Sequence, residues 1–142
     1  MLRYFKEKEV SMAMQYEEIL KMFESMHDPE AAAGMARFGI NTENTYGISI
    51  PALRKIAKET GRDHLLAQKL WASGIHEARI LACMIDAPTD VTGEQMEQWV
   101  KDFDSWDVCD QCCSNLFDKT DFAYQKAVEW SERKEEFVKR AS

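Results

Sequence analysis

The sequence lacks several features that would place the protein in other classes. No run of about eighteen apolar residues occurs in its 142 positions, which excludes a membrane-spanning helix of the usual kind. Residues 1–9 carry charges where a signal peptide would need an apolar stretch, so we expect a cytoplasmic protein without a membrane partner. Strand-like alternation of apolar and polar positions does not compete with the helical patterns that fill the chain.

The cysteines form neither a disulfide framework nor a metal pattern. Cys109, Cys112 and Cys113 lie too close together on one predicted helix for a comfortable disulfide framework. A zinc site at Cys109 and Cys112 would need two further ligands, and the available Cys83 and His76 lie on another predicted helix. We interpret the cysteines as small buried apolar residues and expect no metal and no other cofactor.

Composition and charge indicate a folded, acidic domain. With 45% hydrophobic and 30% charged residues, the chain has the balance of a globular protein and enough length to bury one core. Its net charge of −7 argues against a nucleic-acid partner, although the distribution of charge matters more than the sum. Arg54, Lys58 and Arg62 recur at helical spacing, and this basic stripe is open to two interpretations, a solvated helix face or a phosphate-binding surface.

Helix-start and helix-stop signals divide the chain into short helices. Asp28 and Pro29 open the second helix as cap and first-turn proline, and Gly39 ends it. Thr92 and the Gln95 that follows three residues later form a capping box. The predicted helices cover residues 10–27, 29–38, 52–60, 64–71, 75–85, 93–103, 106–117, 122–130 and 131–142.

From residue 63 onward the predicted helices pair in a regular pattern. The predicted caps Asp63, Thr92 and Thr120 open helix–turn–helix units that begin 29 and 28 residues apart. This period is typical of an α-helical repeat, in which neighbouring pairs bury each other's faces and the array curves. We therefore predict an all-α fold, a right-handed stack of antiparallel helix pairs that forms a HEAT-like α-α superhelix. Residues 1–28 should form an N-terminal helix with a weakly ordered start, and residues 29–142 the repeat domain.

The predicted helix 106–117 carries an aromatic residue and an acid on one side. Trp106 and Asp110 lie one turn apart, on a face separate from the apolar face of Val108, Cys112 and Leu116. A buried carboxylate without a partner is costly, so an acid at this place needs an explanation. The spacing alone favours an incidental acid on a capped amphipathic helix, and it is also compatible with a cleft in which an aromatic plate and an acid act on one substrate.

Four segments in fixed order resemble one known family. These segments are residues 47–55 (GISIPALRK), 71–79 (WASGIHEAR), 106–110 (WDVCD) and 137–141 (FVKRA). Over roughly residues 29 to 142 the chain resembles the DNA alkylation repair family, the HEAT-like alkylpurine DNA glycosylases of the AlkD type.

The resemblance implies an enzyme that hydrolyses the N-glycosyl bond of cationic N3- or N7-alkylated purines in duplex DNA. It implies that Asp110 stabilises the oxocarbenium-like sugar and positions a water, and that Trp106 contacts the sugar. It also implies that Arg140, on a later helix, lines the same cleft. Residues expected to contact the DNA backbone without reading sequence are Arg37, Arg54, Lys58, Arg79 and Arg140.

The family pattern continues beyond residue 142. We therefore expect the chain to be the N-terminal part of a longer protein, truncated within the repeat domain and inactive on its own. Because a repeat array needs a polar cap at its end, truncation predicts that Phe137 and Val138 are exposed.

A different class of function is also compatible with the sequence. A non-catalytic HEAT-like scaffold that binds DNA or another protein would use Asp110 as a structural acid and Trp106 as a packing residue. The surroundings of Asp110 distinguish the two functions. An enzyme requires Asp110 to face an open, positively lined cleft, whereas a scaffold would leave it paired with protein or covered.

Overall fold

A computed structural model describes residues 2–37 and 45–142, and all regular structure in those ranges is helical. The helices α1 to α9 span Leu2–Ser25, Pro29–Arg37, Ile50–Thr60, His64–Ala72, His76–Ile85, Gly93–Asp102, Trp106–Asn115, Ala123–Ser131 and Glu136–Ala141. Short 3-10 helices at Pro88–Asp90 and Phe117–Lys119 lie before α6 and after α7. The prediction of an all-α fold is confirmed. No helix in the described part of the chain is long and apolar enough to cross a membrane.

The helices form two layers. In one layer the second helices of successive pairs pack side by side. Helix α5 contacts α3 on one flank and α7 on the other, and α7 contacts α9. These four helices, α3, α5, α7 and α9, are called the inner layer below. On the other side of the stack α1 contacts α4, which pairs with α5, and α8 pairs with α9. Side chains of the inner layer that point away from the other layer therefore share one exposed face.

Local capping signals account for the starts of α2, α4 and α6. Asp28 Oδ1 accepts a hydrogen bond from the Ala31 amide at 3.0 Å, which opens α2 as predicted. Asp63 caps α4 in the same way. The Thr92 hydroxyl caps α6 by accepting from the Gln95 amide at 3.1 Å. The capping box is only half formed, since the Gln95 side chain donates to the buried Asp86 carboxylate instead of accepting from the Thr92 amide.

The last two helices start later than the sequence predicts. Thr120 does not cap α8, because its hydroxyl donates to the Phe117 carbonyl at 2.8 Å and completes the 3-10 turn before α8. Ser131 ends α8, and α9 starts only at Glu136. At the other end of the chain α1 starts at Leu2, eight residues before the predicted Val10. The helix end predicted at Gly39 lies outside the described residues.

A row of aromatic rings joins the repeats through the core. Trp71 and Trp99 stack with ring centroids 4.1 Å apart and planes 3° from parallel. Phe103, Phe117 and Trp130 continue the row with centroid separations of 5.9, 6.2 and 5.7 Å. The core extends to the last helix: Val138 is buried and Phe137 packs against the core. The prediction that these two residues are exposed is therefore wrong, because α9 turns its apolar side toward α7 and α8.

The buried carboxylate of Glu77 attaches the segment before α3 to the helical stack. Its two oxygens accept hydrogen bonds from the backbone amides of Tyr46 at 3.0 Å, Gly47 at 2.9 Å and Ile48 at 3.2 Å. Gly47 has a φ of +76°, and a Cβ there would collide with the Asp28 carbonyl oxygen, so this turn requires glycine. Since the Asp28 amide donates to the Tyr46 carbonyl at 2.8 Å, the segment is fixed to the start of α2 as well as to α5.

Replacing Glu77 by Gln should lower the free energy of unfolding by about 3 kcal/mol, because charge-assisted hydrogen bonds are lost and the new amide group opposes a backbone donor. Urea denaturation measures the change. Glu59→Gln is the matched control, since Glu59 is exposed on α3 and should change the free energy by under about 0.5 kcal/mol. Equal effects of the two substitutions would contradict a clamping role for Glu77.

Candidate functional site

A cavity of about 420 Å³ opens between α2, the segment before α3, and the start of the inner layer. Its apolar wall comes from α2, the clamped segment and α5, and its polar wall from α5 and α7. The apolar lining residues are Ala31, Met35, Ile48, Ile50 and Ile80. The polar side of the lining includes His76, Trp106, Asp107, Asp110 and Gln111. Both residues that the sequence singled out, Trp106 and Asp110, therefore line one cavity.

Helical periodicity predicted the orientation of α7 correctly. Val108, Cys112 and Leu116 are buried, whereas Trp106 is 39% exposed and Asp110 is also exposed. Trp106 stands in the first turn of α7 and Asp110 in the next, so the indole and the carboxylate lie one above the other on the cavity side. An aromatic surface and an acid can thus contact the same bound group.

Asp110 is paired with Arg140 of α9. The guanidinium donates Nε–H to Oδ1 at 2.8 Å and Nη2–H to Oδ2 at 2.7 Å, which is a bidentate ion pair. This carboxylate raises the pKa of Arg140 above its ordinary value. Both side chains remain nearly half exposed, at 46% for Asp110 and 47% for Arg140. Asp110 therefore meets part of each criterion: it faces an open cavity, and it is paired with protein, although Arg140 is not among the residues that line that cavity.

The cavity contains a second carboxylate, Asp107, that was not predicted from the sequence. Asp107 Oδ2 lies 2.7 Å from Nε2 of the buried His76, and Oδ1 accepts the Val108 amide at 2.9 Å. Burial raises the pKa of Asp107, but the hydrogen bond and charge of His76 outweigh it, so the pKa lies below its ordinary value. The positions of the two residues in the sequence could have predicted this pair. His76 opens α5 and Asp107 lies in the first turn of α7, at equivalent places in successive repeats.

The basic residues proposed for DNA binding occupy different places. Arg79 does not reach the cavity: its guanidinium lies 5.1 Å from the Trp71 ring centroid and donates to the carbonyls of Trp71 and Asp102. It thus braces α4 against α6. Arg140 is the one of the proposed set that meets Asp110 among the residues the structure describes.

The basic stripe of α3 is shorter than predicted. Arg54 and Lys58 are exposed on α3, but Gly61 ends the helix, and Arg62 turns to donate to the carbonyls of Met84 at 3.2 Å and Asp86 at 2.7 Å. The side chain of Arg37 lies outside the described residues.

The cysteines are free thiols. Cys83, Cys109 and Cys112 are buried, and Cys113 is half-buried. A hydrogen bond with Cys113, together with burial, raises the pKa of the Cys109 thiol, and burial raises that of Cys112. In residues 2–37 and 45–142 no group of three or more His, Cys, Asp or Glu side chains could hold a metal ion.

Comparison with known proteins assigns the family. A family model described as DNA alkylation repair enzyme matches residues 19–142. The protein belongs to the DNA alkylation repair enzyme family. A solved structure from a new family of proteins related to the HEAT-like repeat DNA glycosylases with affinity for branched DNA structures is similar to the chain, with a TM-score of 0.80 and 19% identity. No curated protein matches the sequence.

The structural likeness confirms the HEAT-like repeat fold. It covers 89% of this chain and 53% of the solved one, so the chain spans about half the length of the protein it matches. The family model matches residues 19–142, which include all of α3 to α9 and every residue that lines the cavity. The roles of individual residues stay predictions.

The Asp107–His76 pair predicts how stability depends on pH. The folded-state pKa of Asp107 is depressed below its ordinary value of 3.8. The ionised Asp107 carboxylate therefore adds to the free energy of unfolding above about pH 4, and this stabilisation is lost as the pH falls through the folded-state pKa. Wild type should therefore lose free energy of unfolding more steeply on acidification than Asp107→Asn. Urea titrations between neutral pH and pH 3 measure both slopes. Parallel slopes would show that Asp107 titrates alike in the folded and unfolded chain.

Proposed function

We propose that the protein excises cationic N3- or N7-alkylated purines from duplex DNA by hydrolysing the N-glycosyl bond. The observation that carries the proposal is the projection of Trp106 and Asp110, one helical turn apart, into one open cavity. This activity refines the DNA alkylation repair function of the family. It requires no cofactor.

The proposed chemistry follows from the charge of the lesion. An alkylated purine is already cationic and leaves without protonation, so the transition state needs stabilisation of the positive charge that grows on the deoxyribose. The Asp110 carboxylate provides that stabilisation and orients the attacking water. Trp106 places an aromatic face, with its negative quadrupole, against the sugar. One positioned electrostatic group of this kind contributes roughly 3 kcal/mol.

Arg140 holds the Asp110 carboxylate in place before substrate binds. A bidentate guanidinium fixes the plane of the carboxylate. Because both partners are nearly half exposed, the ion pair contributes little to stability. Its reorganisation around a cationic sugar and a neighbouring phosphate is therefore inexpensive.

Duplex DNA is the proposed partner. Exposed cations of the inner layer, Arg54, Lys58 and Arg140, would contact backbone phosphates without reading sequence. Arg79 would contribute only the donors that its bonds to Trp71 and Asp102 leave over. Arg37 completes the proposed set.

The alternative function is a non-catalytic scaffold that binds DNA. Two observations favour it: Asp110 already has a bidentate partner within the protein, and the similar solved structure comes from a family with affinity for branched DNA structures. In that case Asp110 would serve α7–α9 packing, and its removal would weaken folding and binding together.

Asp110→Asn separates the two functions, because it keeps shape and removes the charge. In the longest natural form of the protein, single-turnover release of a methylated purine should fall by at least about 100-fold. The 142-residue chain should lose its preference for a duplex that carries a cationic pyrrolidine analogue of the sugar, while its affinity for undamaged duplex stays unchanged or rises. Asp121→Asn, which removes an exposed charge outside the cavity, is the matched control.

Trp106→Ala should lower both excision and binding of the analogue duplex, because the sugar loses its aromatic contact. Melting temperatures of both variants establish that the fold persists. The proposal fails if Asp110→Asn melts like wild type and excises at the wild-type rate. Proportionate loss of stability and DNA binding would support the scaffold.

A further inference from the structure

A second depression lies on the inner layer, further along the same helices as the cavity. It has a volume of about 270 Å³ and is called the basic groove below. Its lining residues are Arg54, Ala57, Arg62, Met84, Asn115 and Lys119. Three of these carry a positive charge and, among the described residues that line the groove, none carries a negative one. The groove is thus a local concentration of cations in a protein of net charge −7.

The groove and the cavity form one track across the inner layer. On α5, Ile80 lines the cavity and Met84 lines the groove, and on α7 Gln111 and Asn115 have the same relation. Along α7, Trp106 of the cavity and Asn115 of the groove are nine residues apart, which corresponds to about 14 Å of helix rise. The Asn115 amide donates to Gln111 Oε1 at 2.8 Å, so these two side chains are joined across the boundary.

Helix capping explains only part of this cluster. Arg62 donates to the carbonyls near the end of α5, and Lys119 Nζ donates to the Ser114 carbonyl at 2.8 Å near the end of α7. Cations at helix C-termini are ordinary stabilising features. Arg54 stands in the middle of α3, is exposed, and makes no hydrogen bond or ion pair with the described residues. A structural role therefore accounts for two of the cations and leaves Arg54 unexplained.

The available donors fit an oxyanion. Carbonyl groups hold Arg62 and Lys119 in position but leave their charges uncompensated, and both keep N–H groups that no carbonyl uses. Arg54 adds a planar fork of donors from α3. Three cations from α3, from the turn after it and from the turn after α7 converge on a space of about 270 Å³. A phosphodiester oxygen pair matches this geometry and charge.

We propose that the basic groove binds one backbone phosphate of the DNA strand whose sugar lies against Trp106. The offset of about 14 Å corresponds to roughly four nucleotides at 3.4 Å each, so the phosphate lies about four nucleotides from the lesion. The position of the phosphate rests on the proposed function. Phosphate binding by the groove does not depend on excision.

Binding to an undamaged fluorescent duplex tests the groove itself. Arg54→Gln removes an exposed cation that lines the groove, and Lys55→Gln removes an exposed cation of the same helix that does not line it. The slope of log affinity against log salt concentration should fall by about 0.9 for Arg54→Gln and stay near wild type for Lys55→Gln. Equal slopes for the two variants would overturn the proposal. Lys119→Met should reproduce the effect of Arg54→Gln, and equal melting temperatures exclude misfolding.

A backbone scan then tests the position of the phosphate. Duplexes carry the cationic pyrrolidine analogue at one nucleotide and a single uncharged methylphosphonate at successive positions along that strand. Wild type should lose affinity at one position, about four nucleotides from the analogue, and Arg54→Gln should lose nothing further there. Additive losses at every position would overturn the assigned position. If Asp110→Asn excised at the wild-type rate, the proposed function would fail, but the salt slopes would be unchanged. The two proposals can therefore fail separately.

Discussion

The three hydrogen bonds to the Glu77 carboxylate hold together the two parts of the chain that form the cavity. The apolar wall comes from α2, the segment before α3 and Ile80 of α5, whereas α5 and α7 make the polar wall. Glu77 is fully buried on α5, yet its hydrogen bonds go to the opposite wall. A buried carboxylate is tolerated only where donors satisfy it, so the segment and the acid require each other. The width of the cavity beside Trp106 depends on this attachment.

Two carboxylates three residues apart on α7 have opposite environments. Asp107 is buried and held by His76, which leaves it little freedom to meet a ligand. Asp110 is nearly half exposed and held by Arg140, a partner that can move without uncovering a buried charge. The first arrangement fixes the start of α7 against α5, and the second leaves a charged, oriented group at the surface. This division assigns the structural work to Asp107 and makes Asp110 the better candidate for chemistry.

Local signals were readable from the sequence, and non-local ones were not. The caps at Asp63 and Thr92 and the orientation of α7 follow from interactions within one or two turns, and the structure agrees with them. The predicted cap at Thr120 was wrong because its hydroxyl donates to a carbonyl of the preceding 3-10 turn. The pairs His76–Asp107 and Asp110–Arg140 join residues 31 and 30 positions apart, so they depend on how consecutive repeats align. The resemblance to the family predicted that Arg140 lies by the same cleft as Asp110.

The acidic balance of the chain does not exclude the basic track. At physiological ionic strength the Debye length is about 8 Å, so exposed acids elsewhere are largely screened from a phosphate bound at the inner layer. Several acids are also neutralised where they stand: Glu97 lies against Lys126 and Arg133. Direct contacts within hydrogen-bond distance are screened far less. The net charge of −7 should therefore slow the approach of DNA from a distance and matter less once phosphate reaches Arg54. Local arrangement, rather than total charge, decides whether this surface binds DNA.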